Sequence, residues 1–273
     1  MTHTELEKIE TDLLLEGIFQ RYGYDFRHYA RASLNRRVTH RLQQSHLEHI
    51  SDLLPRVLYD EDFFNCFLTD MSITVTEFFR DPPFYQSFRK LVIPILKTYP
   101  YIKIWHPGCA TGEEVYSMAM VLHEEGFLGR TQIYATDLNN HSLEIAKEGI
   151  YPIDGMKQST ASYNRSGAKA SFGEYYHAQY EYARIHDWLK GHIMFANHNL
   201  VTDGIFGDMN VIICRNVLIY FDRILQSQVL RLFSDSLCHR GFLCLGTRET
   251  VECTDVQCQF EAVANKEKIY RKI

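Results

Sequence analysis

The 273-residue chain is long enough for one large or two modest domains, and 45% hydrophobic with 23% charged residues is the balance of an ordinary globular protein. A formal net charge of −5 argues against bulk nucleic-acid binding, and no apolar run approaches the ~20 residues of a membrane span. The polar start, MTHTELEKIE, is not a secretory signal, and seven cysteines without a C-x-x-C pair suggest reduced thiols in a cytoplasmic protein.

Residues 1–72 read as a small helical domain. Thr4 and Glu7 have capping-box spacing, Leu6, Ile9, Leu13, Leu14 and Ile18 recur at helical intervals, and Gly23 ends the run. Phe63, Phe64, Phe67, Leu68 and Met71 give a further helix its apolar face. Between them, residues 26–47 hold no Asp or Glu but carry Arg27, Arg31, Arg36, Arg37 and Arg41. A one-signed stripe in an acidic protein predicts an anionic partner. Residues 73–99 read as a linker and a helix that contributes to the site discussed next.

From residue 100 strands and helices alternate. KIWHPG, QIYATD, HIMFANHN, MNVIICRNV and GFLCLG read as strands; 112–125, HSLEIAKE and the segment after Asp222 read as helices. Asn139 is placed to cap the second of these helices and Gly149 to end it. The tail, FEAVANKEKIYRKI, predicts a closing hairpin around Asn265-Lys266. This rhythm predicts an α/β domain over 100–273, with a parallel sheet covered on both faces and an antiparallel end. About 152–192 breaks the rhythm: Tyr176, Ala178, Tyr180 and Tyr182 alternate with polar residues, which predicts a small antiparallel β insert.

In open parallel sheets, ligands bind outside the carboxyl ends of the strands. There the chain places Gly108-Cys109-Ala110-Thr111-Gly112, Asp137, Asn199 and Arg215-Asn216. Asp137 closes the second strand, where a carboxylate grips ribose hydroxyls. The helix after the glycine turn opens with Glu113 and Glu114, which oppose a pyrophosphate at that helix N-terminus. There is neither a G-x-G-x-x-G nor a P-loop lysine. A phosphate-free, cationic adenosine compound fits, and S-adenosylmethionine is one.

The blocks SITVTEFFRD (72–81), GCATGEEVYSMAM (108–120), ATDLNNHSLEIAKEGIY (135–151) and VIICRNVLIYFD (211–222) resemble the chemotaxis receptor methyltransferases, the CheR family. DFRHYARASLNRRV resembles that family's N-terminal helical domain. The resemblance implies an all-α domain, a Rossmann-like methyltransferase domain and an inserted β-subdomain. It implies methyl transfer from S-adenosylmethionine to glutamate carboxylates of methyl-accepting chemotaxis receptors, leaving S-adenosylhomocysteine, with no metal, nucleic acid or membrane insertion. It assigns cofactor contacts to Thr74, Thr76, Arg80, Glu114, Asp137, Asn199, Leu200, Arg215 and Asn216. Tyr220 and Arg80 would border the transfer site, and Arg27, Arg31, Arg36, Arg37 and Arg41 would face the Glu-rich receptor helices. Arg215 follows a buried-looking strand, and the cofactor's carboxylate is expected to partner it. His106-Pro107, Val115 and Thr247-Arg248 depart from the family's usual residues.

A glutamate carboxylate, with a reference pKa of about 4.3, is ionised at neutral pH, so the transfer needs no general base. Two competing readings remain. Asp81-Pro82-Pro83-Phe84 looks like the motif that binds the target amine in amino-methylating enzymes, although it follows no apolar strand. A receptor-binding relative without turnover is the other.

Overall fold

A computed structural model of the chain describes residues 2–72 and 76–273, and these divide into two compact units. One unit takes the described residues of Met1–Ile73 together with Asn199–Asp203 and Leu218–Val229; the other takes the rest. The two later stretches lie inside the segment that strand–helix alternation assigns to the 100–273 domain. Periodicity reports the local element, not the neighbour that covers it.

The helical unit contains α1 (His3–Tyr22), α2 (Arg31–Gln44), α3 (Leu53–Tyr59) and α4 (Glu61–Met71). The capping box of α1 is Thr2 with Glu5, two residues before the Thr4–Glu7 pair that has the same spacing. Its far end is closed by Gly23 at φ +78°, a left-handed position that glycine adopts without strain. Leu14, Leu15, Ile18, Leu34, Val38, Val57, Phe67 and Met71 form its core. Residues 218–229 join by backbone contacts: Ala30 N donates to Tyr220 O at 2.8 Å, and Asp222 N donates to His28 O at 2.9 Å.

The second unit runs α5 (Pro82–Ser87), α6 (Ile93–Leu96), β1 (Ile102–Pro107), α7 (Glu113–Glu124), β2 (Thr131–Asp137), α8 (Asn140–Glu148), β3 (Ile150–Pro152), α9 (Met156–Arg165), β4 (Tyr176–Gln179), β5 (Tyr182–Ile185), α10 (Asp187–Lys190), β6 (Ile193–Asn197), β7 (Met209–Cys214), α11 (Arg223–Ser236, shared with the helical unit), β8 (Leu237–Leu245), β9 (Phe260–Ala264) and β10 (Ile269–Lys272). The main sheet has the order β6-β2-β1-β7-β8-β10-β9, parallel as far as β8 and antiparallel in the closing β9–β10 hairpin. The order reverses beside β1, so β1 and β7 flank the switch point where such sheets bind ligands. The insert is a separate three-stranded antiparallel sheet, β3-β5-β4, whose first strand begins at Ile150, just ahead of the range the pattern predicts.

Residues Val115–Leu122 of α7 are all buried, so this helix is held from several sides and its first turn is fixed against the sheet. Trp105 of β1 is fully buried; its Nε1 donates to Thr136 Oγ1 at 2.9 Å, and its ring stacks on Phe206 at 4.5 Å.

Candidate cofactor site

The turn between β1 and α7 is built from left-handed residues: Gly108 (φ +68°), Ala110 (φ +48°) and Gly112 (φ +93°). A Cβ on Gly108 would lie 2.6 Å from Val217 Cγ2, and one on Gly112 would lie 3.0 Å from Ala146 Cβ, so both glycines also serve close approach. Ala110 lacks that freedom. Its strained backbone is held by Asp137, whose Oδ2 accepts from Ala110 N at 2.9 Å while Oδ1 accepts from Asn139 N at 2.9 Å. The carboxylate at the end of β2 therefore shapes the glycine turn as well as facing the strand ends. Burial pushes its pKa up, against the opposing pull of the Asn139, Ala110 and Leu138 amides.

Asn139 caps α8 as its position suggests, its Oδ1 accepting from His141 N at 2.9 Å, and Gly149 ends the helix at φ +62°. The acidic opening of α7 divides into two environments. Glu113 accepts a 2.7 Å hydrogen bond from Thr111 Oγ1, and burial pushes its carboxyl up to about 7. Glu114 is also pushed up by burial, but Arg215 and His106 more than offset this and hold it below the ordinary carboxylate value.

Arg215 follows β7 with its side chain 1% exposed. Its Nη1 donates to Glu114 Oε2 at 2.6 Å, its Nη2 donates to Asp81 Oδ2 at 2.7 Å, and its guanidinium lies 4.3 Å from the centre of the Phe84 ring. Two protein carboxylates, which sequence reading did not foresee, partner the arginine for which a cofactor carboxylate is expected, and its Nε has no partner among the described residues. The reason is distance along the chain, since Asp81 and Glu114 lie more than 100 residues upstream and reach Arg215 only through the fold. In the Asp81-Pro82-Pro83-Phe84 block, one carboxylate oxygen of Asp81 is held by this contact, and Pro82 opens α5.

Arg80 sits between two strained residues, Phe79 at φ +54° and Asp81 at φ +56°. Phe79 is anchored by its amide, which donates to Ser117 Oγ of α7 at 3.0 Å. Left-handed backbone at a bulky aromatic is costly and persists only where the surroundings impose it. Thr76 is half-buried just upstream, and Thr74 lies outside the described residues. Asn216, at φ +62°, donates its backbone amide to the buried Glu249 at 3.0 Å; the same Oε2 accepts from Gly246 N at 2.6 Å. Glu249, in the departing GTRE block, thus braces Asn216. Sequence reasoning assigned it no role; a lone glutamate just after an apolar strand was the only available signal.

Several buried polar atoms around this cluster have no hydrogen-bond partner among the described residues: Arg215 Nε, both ring nitrogens of His106, and Asn216 Oδ1. His106 Nδ1 stands 3.8 Å from Glu114 Oε1. Orphaned buried groups of this kind call for a polar ligand or water. With its carboxylates and lack of phosphate-binding lysine, the cluster suits a cationic ligand. Among the described residues, no group of three or more His, Cys, Asp or Glu side chains could hold a metal ion.

The remaining assigned residues fall in the helical unit. Asn199 is buried and local, donating from N to Asp203 Oδ2 at 2.8 Å and accepting at Oδ1 from Val201 N at 2.9 Å, with Leu200 half-buried beside it. Tyr220 lies under Arg37, whose guanidinium is 5.2 Å from its ring centre. The arginine stripe is largely consumed inside the unit. Arg27 pairs with Glu16 and Asp25, Arg31 with Asp12, and Arg41 with Asp70 at 2.5 Å. Arg37 is buried and donates to Met71 O and Ser33 Oγ. Arg36 is exposed with no ion-pair partner among the described residues. The segment is one-signed in sequence, but three acidic helical neighbours and a turn aspartate neutralise most of it in space.

Comparison with known families decides the class of the domain that carries these residues. Residues 74–269 match the CheR methyltransferase SAM-binding domain, and residues 9–72 match the CheR all-alpha domain. The chain belongs to the CheR methyltransferase family. It is 46% identical over 272 residues to a Pseudomonas putida protein that carries the name Cher3, covering all of both chains. It is 29% identical to the chemotaxis protein methyltransferase of Listeria innocua, covering 84% of this chain and 85% of that one. The Escherichia coli chemotaxis protein methyltransferase is 28% identical, over 85% and 81% of the two chains. As a CheR-family domain, the α/β unit is an S-adenosylmethionine-binding methyltransferase fold, with the glycine turn, Glu114 and Asp137 at its strand ends.

Proposed function

We propose that this chain transfers a methyl group from S-adenosylmethionine to glutamate side chains of chemotaxis receptors in the cytoplasm, producing glutamate methyl esters and S-adenosylhomocysteine. The observation that supports it most is the Asp81–Arg215–Glu114 cluster beside a glycine turn without phosphate-binding features. Such a site repels phosphate and favours a cationic, adenosine-bearing donor.

When bound, S-adenosylmethionine supplies an electrophilic methyl group. The chain's own residues bind and align. Asp137 would accept from a ribose hydroxyl, its two oxygens having capacity beyond the Ala110, Asn139 and Leu138 amides they already hold. Glu114 and Asn216 offer an acceptor for the ammonium group, and Arg80, Thr76, Thr74, Asn199, Leu200 and Tyr220 keep the roles the family resemblance implies. The glutamate acceptor is ionised already, so no residue takes a proton. Alignment and water exclusion lower the barrier, and orientation alone is worth up to roughly 7–11 kcal/mol. Arg36 is an exposed cation of the arginine stripe, with no ion-pair partner among the described residues, and suits a Glu-rich receptor helix.

Incubating the protein with receptor-bearing membranes and methyl-labelled donor tests this. Label released as methanol by mild base supports a carboxyl ester; base-stable label, or no label, overturns it.

A further inference from the structure

Arg215 needs one carboxylate for neutrality and has two. Glu114 is mostly buried, whereas Asp81 has a side chain 40% exposed and reaches the guanidinium from the solvent rim. The two acids and the guanidinium together carry one net negative charge. Holding a second carboxylate on a buried arginine is unfavourable for the empty protein through repulsion between the acids, unless another cation joins them. The backbone at Asp81 is left-handed at φ +56°, a conformation that aspartate and asparagine both tolerate, so the charge at this position can be removed without changing the turn.

Resting on the cofactor reading above, the geometry points to Asp81 as a positioning residue that acts through Arg215 to select the cationic methyl donor over its demethylated product. S-adenosylmethionine carries a sulfonium and an ammonium against one carboxylate, a net single positive charge. S-adenosylhomocysteine has lost the sulfonium and is net neutral. With Asp81 present, the three groups together keep one net negative charge that attracts a cation. Without that charge, Arg215 and Glu114 satisfy each other, and the attraction that distinguishes donor from product falls away. Asp81 thereby favours the donor in competition with the product. Asp137 and Glu113 add further acidity in the same region, but they are unchanged by substitution at 81 and cancel from the comparison.

Asp81→Asn is the informative change, because asparagine tolerates left-handed backbone and its amide oxygen can still accept from Arg215 Nη2. Calorimetry on the full chain should show donor affinity falling about tenfold and product affinity changing less than about twofold, the half-exposed position limiting the effect. Raising ionic strength with the wild type should narrow the donor-to-product ratio, a measurement independent of whether the variant folds. Equal losses for both ligands, or a ratio insensitive to both substitution and salt, overturn the inference. Failure of the wild type to bind either ligand overturns the cofactor reading and this inference with it.

Discussion

The guanidinium of Arg215 closes on Glu114 with a 2.6 Å hydrogen bond, joining residues 101 positions apart in sequence. Because the arginine is buried, removing it leaves Glu114 as a charge without its main partner. Arg215→Ala should cost about 3–5 kcal/mol of stability, by analogy with broken buried pairs. Adding Glu114→Gln should recover more than half of that loss, while cofactor binding stays impaired in both variants. Chemical denaturation of the single and double variants checks this; additive losses would show that the pair is not coupled.

Glu113 sets a pH dependence. Its carboxyl is raised from 4.5 to about 7 by burial, so the folded chain holds a proton that the unfolded chain has released between those values. The stability from this group is therefore complete below pH 4.5 and lost as pH rises through 7. Glu113→Gln should match the wild type near pH 4.5 and exceed it at pH 8 by up to about 3 kcal/mol. Thermal melts across that range, read as the difference between the two proteins, test the sign.

Gly108 combines a left-handed backbone with a near contact to Val217. Gly108→Ala should destabilise by about 2–4 kcal/mol, from strain and overpacking together. In a Val217→Ala background, only the backbone cost of about 1–2 kcal/mol should remain. Urea unfolding of the four proteins separates the two contributions; an undiminished cost in the alanine background would place it all in the backbone.

Among the stripe arginines, Arg36 is the informative one to reverse. Arg36→Glu should change stability by less than about 0.5 kcal/mol, as an exposed substitution. It should also slow receptor methylation at low salt and flatten its ionic-strength dependence. Arg37→Glu, by contrast, should unfold the helical unit by stripping the Met71 carbonyl of its donor. Initial rates across a salt series, beside a melting curve for each variant, distinguish capture from folding.

Much of this architecture was legible in the sequence because it is local. Asn139 and Gly149 bracket α8 as their chemistry requires, and the period-two run locates the antiparallel insert, although Tyr180 falls in the turn between β4 and β5 at φ +55°. The closing hairpin follows from its turn residues. What was not legible depends on neighbours distant in the chain. The arginines of 26–47 look free until Asp12, Glu16, Asp25 and Asp70 arrive from other segments. The two carboxylates on Arg215 come from 134 and 101 residues upstream and could not be foreseen from its neighbours in sequence. The bracing of Asn216 by Glu249 likewise appears only when the ends of β7 and β8 are side by side.

The two tryptophans offer an optical handle on these events. Trp105, sealed in β1 three residues before Gly108, emits from an apolar environment shielded from aqueous quenchers, whereas Trp188 is 44% exposed. Iodide should silence the second emitter and leave the first. Blue-edge fluorescence then reports, with no label attached, on the packing of β1 against Phe206 and Phe233.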